Sequence, residues 1–258
     1  MSIEAFDRVE LDGTGIDRIT EEEVVAVVRD ALAHGRGGRI ITPNIDVLRQ
    51  AQADPEARRY LDDADLIVAD GMPLIWASRL GGRPLPERVA GSSLIWSLSR
   101  GLGRDQRSIF MMGGHKKDGA ARAADRLAAE CPGLRVAGTY WPPFGFDRDP
   151  ATYADVCAKV IDAAPDLVFV GLGFPKQERV IERLRPALPH TWFIGCGAAV
   201  NFVAGDIDRA PRWMQRTGLE WAHRLGTEPR RLAGRYLRHD APYALRLLAQ
   251  APGQRGRS

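Results

Sequence analysis

Cysteine is scarce in this chain of 258 residues, with Cys131, Cys157 and Cys196 its only examples. They have no metal-like spacing, and their odd number does not suggest a disulfide framework. Histidine is thin as well. None of His115, His190, His223 and His239 stands at H-E-x-x-H or H-x3-H spacing, so no zinc centre is expected. No apolar run reaches the roughly 18 residues that a membrane-spanning helix needs. The N-terminus, Met1-Ser2-Ile3-Glu4-Ala5-Phe6-Asp7, lacks a basic segment followed by an apolar one, which disfavours a signal peptide. Neither G-x-S-x-G nor G-x-x-x-x-G-K-S/T occurs, which argues against an α/β-hydrolase and a P-loop NTPase. No acid holds the ribose position after a G-x-G-x-x-G, so an NAD dehydrogenase is disfavoured too. A cytoplasmic protein with reduced thiols fits these absences.

What the chain does have is a regular alternation. Six short apolar segments read as buried strands: Arg39–Thr42, Leu66–Ala69, Ser108–Met112, Leu134–Thr139, Leu167–Gly171 and Trp192–Cys196. Helical patterns lie between most of them, such as Glu21–Ala33, Ala120–Glu130, Ala151–Ala163 and Gln177–Leu188. Strands alternating with helices predict an α/β fold, a Rossmann-like parallel sheet with helices on both faces. This α/β catalytic domain is expected over residues 1–205, followed by a basic helical appendage over 206–258.

Charge separates the two parts. From Arg209 onward stand eleven arginines against Glu220, Glu228 and Asp240, a net +8. The whole chain carries +3, which leaves −5 for the rest. A basic tail on an acidic body suggests a polyanionic partner: phosphate, a membrane surface or nucleic acid. The bland alternative is a solvated arginine face. Arg230–Leu248 reads as a helix interrupted near Pro242. It can lie on an anionic membrane or cap the body with its apolar face, and that face could also mediate self-association into a homo-oligomer. A nucleic-acid-binding regulator is disfavoured, because it leaves the cleft residues described next without a task.

The stretch Pro165 to Glu178 carries the strongest local signal. An apolar run ends at Gly171-Leu172-Gly173, and Lys176-Gln177-Glu178 opens the next helix. Glycines let backbone approach a ligand, and the helix start presents free N–H groups. A plain tight turn is the alternative. Other strands end at Thr42-Pro43-Asn44, Ala69-Asp70-Gly71, Gly113-Gly114-His115-Lys116 and Gly195-Cys196-Gly197. Parallel neighbours would bring all of these to one edge of the sheet. Asp70 closes an apolar strand, so partial desolvation would raise its pKa and make it a better base. Capping the helix near Met72-Pro73 is its structural alternative. Asp147-Arg148-Asp149 and Asp206-Ile207-Asp208 have D-x-D spacing, but neither follows a strand. The expectation is a metal-independent protein without a cofactor, with arginines and helix N-termini taking the charge of a departing diphosphate.

Taken together, the motifs resemble the WecG/TagA/CpsF family of bacterial glycosyltransferases, from about Ile40 to Tyr236. The stretches that carry the likeness include Thr42-Pro43-Asn44, Ala69-Asp70-Gly71, Glu87-Arg88-Val89-Ala90-Gly91, Gly171 to Glu178, Arg209-Ala210-Pro211-Arg212-Trp213, Gly218-Leu219-Glu220-Trp221 and Glu228 to Leu232. The resemblance implies inverting transfer of a hexose or N-acetylhexosamine-type sugar from a UDP-sugar to a polyprenyl-diphosphate-linked sugar. A transferase with a soluble acceptor is the alternative within this class. The implied setting is the cytoplasmic membrane face, with the protein peripheral there and its products destined for cell-surface polysaccharide such as teichoic acid. By the same resemblance Asp70 is the general base. Thr42, Asn44, Arg88, Gln177, Arg209, Arg224 and Arg231 are substrate-binding. Gly113, Gly114, Gly171, Gly173, Lys176, Glu178, Gly195 and Gly197 line the nucleotide. The tail is an active-site lid and membrane contact. One departure stands out: the family's usual Phe-Asp-Phe reads Val200-Asn201-Phe202 here, which touches the donor pocket.

Overall fold

The computed structural model describes residues 6–256, with the side chains of Arg212, Arg216, Arg231 and residues 254–256 outside the described set. The chain opens with an antiparallel hairpin, β1 (Arg8–Leu11) and β2 (Thr14–Asp17). Asp12 and Gly13 close it, both at positive φ, 48° and 76°. An Asp-Gly pair suits a two-residue hairpin turn because that turn needs left-handed backbone at both positions. The strand reading above omits this hairpin, although the Asp-Gly signal was available.

The main sheet has six strands: β3 (Gly38–Ile41), β4 (Leu66–Ile67), β5 (Ser108–Gly113), β6 (Arg135–Tyr140), β7 (Leu167–Gly171) and β8 (Trp192–Gly195). Their order is β4-β3-β8-β7-β5-β6, and every neighbouring pair is parallel. Successive side chains leave opposite faces. Ile109 and Met111 enter one core cluster while Phe110 and Met112 enter another, and Leu167 and Phe169 part from Val168 and Val170 in the same way. Both faces are covered, which is why these strands read as unbroken apolar runs.

Helices α1 (Glu21–Ala33), α5 (Gly91–Arg104), α6 (Gly119–Glu130) and α9 (Ala199–Ala204) cover one face. Helices α2 (Ile45–Ala53), α3 (Pro55–Asp62), α4 (Met72–Leu80), α7 (Pro150–Ala163) and α8 (Lys176–Leu184) cover the other. Their starts are written locally. Thr20 and Glu23 form a reciprocal capping box on α1, and Asn44, Asp54 and Asp149 cap α2, α3 and α7 through their side chains.

The tail continues as α10 (Arg212–Thr217), α11 (Glu220–Thr227), α12 (Pro229–Arg235) and α13 (Ala241–Gln250). A π-helical turn, Tyr236–Asp240, joins the last two. The interruption expected near Pro242 therefore takes the form of a widened turn. Pro242 has no N–H to donate, and its ring would crowd the carbonyl four residues back. The tail also shares the core of the body. Tyr243, Leu247 and Ala251 are buried in one cluster with Val9, Leu11, Ile16, Leu48 and Leu74. The Tyr243 hydroxyl donates to the Asp12 carboxylate at 2.5 Å. Leu237 and Leu245 face outward, 60% and 68% exposed. Among the described residues no helix is long and apolar enough to cross a membrane.

Candidate active site

All six parallel strands end on one edge of the sheet. After β5 the chain turns outward to β6, and after β7 it turns the other way to β8. The two paths diverge above β5 and β7, which is the place where open α/β sheets hold ligands. Asp70 lies just past β4, three strand positions from β7, a span of about 14 Å at the usual strand spacing.

Asp70 is placed by the backbone on both sides. Its N–H donates to the Pro43 carbonyl at 2.9 Å, and the Ala69 carbonyl accepts the Val89 N–H at 2.9 Å. Gly71, not Asp70, occupies the N-cap of α4, and that cap has no side-chain hydrogen bond. The capping alternative for Asp70 is thus removed, and its carboxylate turns toward Arg88, 3.8 Å away. The Asp70 side chain is 28% exposed. Burial pushes its carboxyl above the usual range; Arg88 opposes this, Glu220 adds to it, and Arg224 and the Gly91 N–H oppose it.

The arginines come from the body and the tail alike. Arg88 donates to Glu220 at 2.9 Å. Arg209 Nε lies 3.8 Å from the other oxygen of Glu220, and Arg209 Nη1 donates to the Ser92 carbonyl at 3.3 Å. Burial pulls the Arg209 guanidinium below its usual range. Arg224 stacks on the Phe202 ring, 5.9 Å from its centroid. The Nε atoms of Arg209 and Arg224 are buried without a hydrogen-bond partner. Asp70, Arg88, Arg209 and Arg224, all expected from the sequence, are brought together here. The side chain of Arg231 lies outside the described residues.

Gly218 explains how the tail reaches this place. It ends α10 at φ 80°, and a Cβ there would fall 2.7 Å from Met72 Cγ and 3.2 Å from the Trp76 ring. Glycine lets the turn into α11 rest on the first turn of α4, directly after Asp70. Glu220 follows two residues later.

Thr42 and Asn44 end β3, next to β4. A Cβ on Gly91 would sit 3.4 Å from Thr42 Oγ1, and one on Gly71 would sit 3.9 Å from Asn44 Cβ. The Asn44 side-chain oxygen caps α2 through Val47 N–H at 3.1 Å. On the other side of β3, Gln177 accepts the Gly197 N–H at 3.2 Å and donates to Glu178 at 3.0 Å.

Glu178 is a correction to the nucleotide-lining set. It is 1% exposed and faces inward, held by Arg39 at 2.7 and 3.2 Å. Burial raises its carboxyl, against the pull of Arg39 and Gln177. Three of the glycines are demanded by packing. A Cβ on Gly113 would strike the Gly171 carbonyl, one on Gly171 would lie 2.5 Å from Val200, and one on Gly195 would strike the Gln177 amide. Gly114 sits beside Val200 and α6, while Gly173 faces open space. Lys176 pairs with Asp147 at 2.8 Å and lies over the Phe146 ring, tying the loop after β6 to α8.

The D-x-D tripeptides have structural partners. Asp149 caps α7, and Asp206 accepts from Arg122 at 2.6 Å and pairs with Lys116 at 3.0 Å. Asn201 accepts the His115 N–H at 2.6 Å and so shapes the loop after β5. The amide oxygen makes the hydrogen bond that an aspartate would make, without its charge.

Two important side chains escaped the sequence reading. Glu220 is one, and its signal in the sequence is an acid among the arginines of the tail. Arg39 opens a buried strand, and a charge in that position requires a buried partner.

The family described as "Glycosyl transferase WecG/TagA/CpsF family" matches residues 9–257. A Bacillus spizizenii protein named N-acetylglucosaminyldiphosphoundecaprenol N-acetyl-beta-D-mannosaminyltransferase is 33% identical over 200 residues, 78% of this chain and 75% of the relative. A Bacillus subtilis protein of the same name is 32% identical over 193 residues, 75% of this chain and 73% of the relative.

Proposed function

The chain belongs to the WecG/TagA/CpsF family of glycosyl transferases, and from that membership we propose that it moves a hexose or N-acetylhexosamine-type sugar from a UDP-sugar to a sugar on polyprenyl diphosphate. The observation that carries the reading is Asp70, a carboxylate with raised proton affinity beside Arg88 and Arg224 at the edge where the strands end. A base next to cations suits attack by a hydroxyl on a substrate that bears diphosphate. Asp70 takes the proton of the acceptor hydroxyl as its oxygen bonds to the anomeric carbon. The bond from that carbon to the departing phosphate oxygen breaks, and UDP leaves with the electron pair. A single displacement with no enzyme nucleophile inverts the anomeric centre.

The arginines and the N-termini of α6 and α8 face growing negative charge, which supports catalysis without a divalent metal. The names of the two relatives support a lipid-diphosphate acceptor bearing N-acetylglucosamine, and make an N-acetylmannosamine donor the first to try. Peripheral attachment at the membrane follows from such an acceptor, and the outward Leu237 and Leu245 on the arginine-rich tail support it.

The test is UDP release from a panel of UDP-sugars, with and without a short-chain polyprenyl-diphosphate-linked N-acetylglucosamine, in EDTA and in magnesium. Release from one donor that depends on the acceptor and ignores EDTA is expected. Equal release with a soluble sugar acceptor would move the function to that class. No binding of UDP would overturn the reading altogether.

A further inference from the structure

Arg88 has two carboxylates within reach. Its Nη1 lies 2.9 Å from Glu220 and 3.8 Å from Asp70. The first is a charge-assisted hydrogen bond, and the second is too long to be one. Glu220 arrives on α11, from the tail, whereas Arg88 and Asp70 belong to the body. The tail is anchored elsewhere, through Tyr243, Leu247 and Ala251 against the hairpin and α2. The tail thus has an apolar anchor that does not involve Glu220.

We propose that Glu220 is a positioning residue: when the tail docks, it draws the Arg88 guanidinium off Asp70 and leaves that carboxylate free to take the acceptor's proton. The inference rests on Asp70 being the base. Without Glu220, the nearest anion to Arg88 is Asp70 itself. A full ion pair between them would favour the ionised carboxylate and weaken it as a base. With Glu220 present, Arg88 bonds to the other acid, and a like charge is added near Asp70. The charged groups that face Asp70 among the described residues are Arg88 ahead of α5, Glu220 and Arg224 on α11, and Arg209 before α10, with the Gly91 N–H also directed at it. Glu220 is the acid among these, so it adds to burial in setting the balance toward a proton acceptor.

Arg209 gives the arrangement a second hold. Its Nε lies 3.8 Å from the other oxygen of Glu220, an ion pair without a hydrogen bond and so a weaker pull than that of Arg88.

The experiment is a carboxyl titration by NMR on the full-length protein with its aspartates labelled at Cγ, the Asp70 signal being identified by its loss in Asp70→Asn. The titration is recorded for the wild type, Glu220→Gln, Arg88→Gln and the double variant. Glu220→Gln is expected to lower the Asp70 midpoint by about one pH unit, the scale of a close charge. In the Arg88→Gln background the same change is expected to move it by much less. An unmoved midpoint in Glu220→Gln overturns the proposal. So does a fall of equal size in both backgrounds, the signature of a tail that has simply come away. The acid limb of the UDP-release profile should follow the NMR midpoint downward. Because the titration uses no substrate, it stands or falls separately from the transferase reading, which fails only if the wild type releases no UDP with any donor and acceptor.

Discussion

The side-chain oxygen of Gln177 accepts the N–H of Gly197 across 3.2 Å, which ties the first turn of α8 to the loop after β8. Glu178 accepts from the Gln177 amide nitrogen at 3.0 Å and so fixes which way the amide points. Gln177→Ala should fold normally and lose this tie. We expect kcat/KM to fall by about ten- to a hundredfold, the equivalent of one buried hydrogen bond worth about 1–3 kcal/mol. Steady-state kinetics beside a thermal melt will decide; an unaltered kcat/KM would remove Gln177 from the site.

Asp70→Asn separates catalysis from stability. Loss of a positioned base should lower turnover by about a hundredfold or more. Burial holds the Asp70 carboxyl above its usual range, so its ionised form costs the folded state at neutral pH. The variant should therefore melt no lower than the wild type. A large drop in melting temperature with activity retained would assign Asp70 to structure alone.

Arg39 and Glu178 form an ion pair with almost no exposure of either side chain. Removing one partner leaves the other charge buried. Glu178→Gln and Arg39→Met should each lower unfolding free energy by about 3–5 kcal/mol, whereas replacing both with apolar residues should cost much less. Urea denaturation of the three variants tests this. Similar stability of single and double variants would contradict it.

Asp240 supplies a pH dependence for the tail. Burial pushes its carboxyl up to about 6, and Asp46 adds to the shift against Arg235 and Arg49. The folded value lies above the unfolded one of about 3.9. The folded state thus binds more protons between these values, and stability falls as pH rises through that window. Asp240→Asn should melt above the wild type near neutral pH. The difference should shrink below about pH 6 and vanish near about pH 4. If the variant instead melts lower near neutral pH, the ion pairs of Asp240 with Arg235 at 3.4 Å and Arg49 at 3.8 Å outweigh its burial.

The parallel sheet was legible because most of its strands are short apolar runs that stop near a glycine or a polar residue; β6, Arg135–Tyr140, is the mixed and least buried one. The order of those strands was not. Nothing local to Leu66–Ile67 or Trp192–Gly195 says that β3 lies between them. Asp70, Arg88, Arg209 and Arg224 could be named through family motifs, yet their meeting depends on Gly218 seating α11 against Met72 and Trp76. Glu178 illustrates the opposite error. Its place in a polar trio suggested a ligand contact, but a helix turns adjacent residues to different sides, and this one turns toward Arg39. The hairpin at Asp12-Gly13 was missed because Arg8–Leu11 and Thr14–Asp17 mix polar with apolar residues and form no apolar run.

The contact between Tyr243 and Asp12 joins the N-terminal hairpin to α13. The segment that brings Glu220, Arg209 and Arg224 to Asp70 also fills the core beside the hairpin. Core and charge cluster are thus completed by the same stretch of chain, and a change that loosens the hairpin should also loosen the surroundings of Asp70.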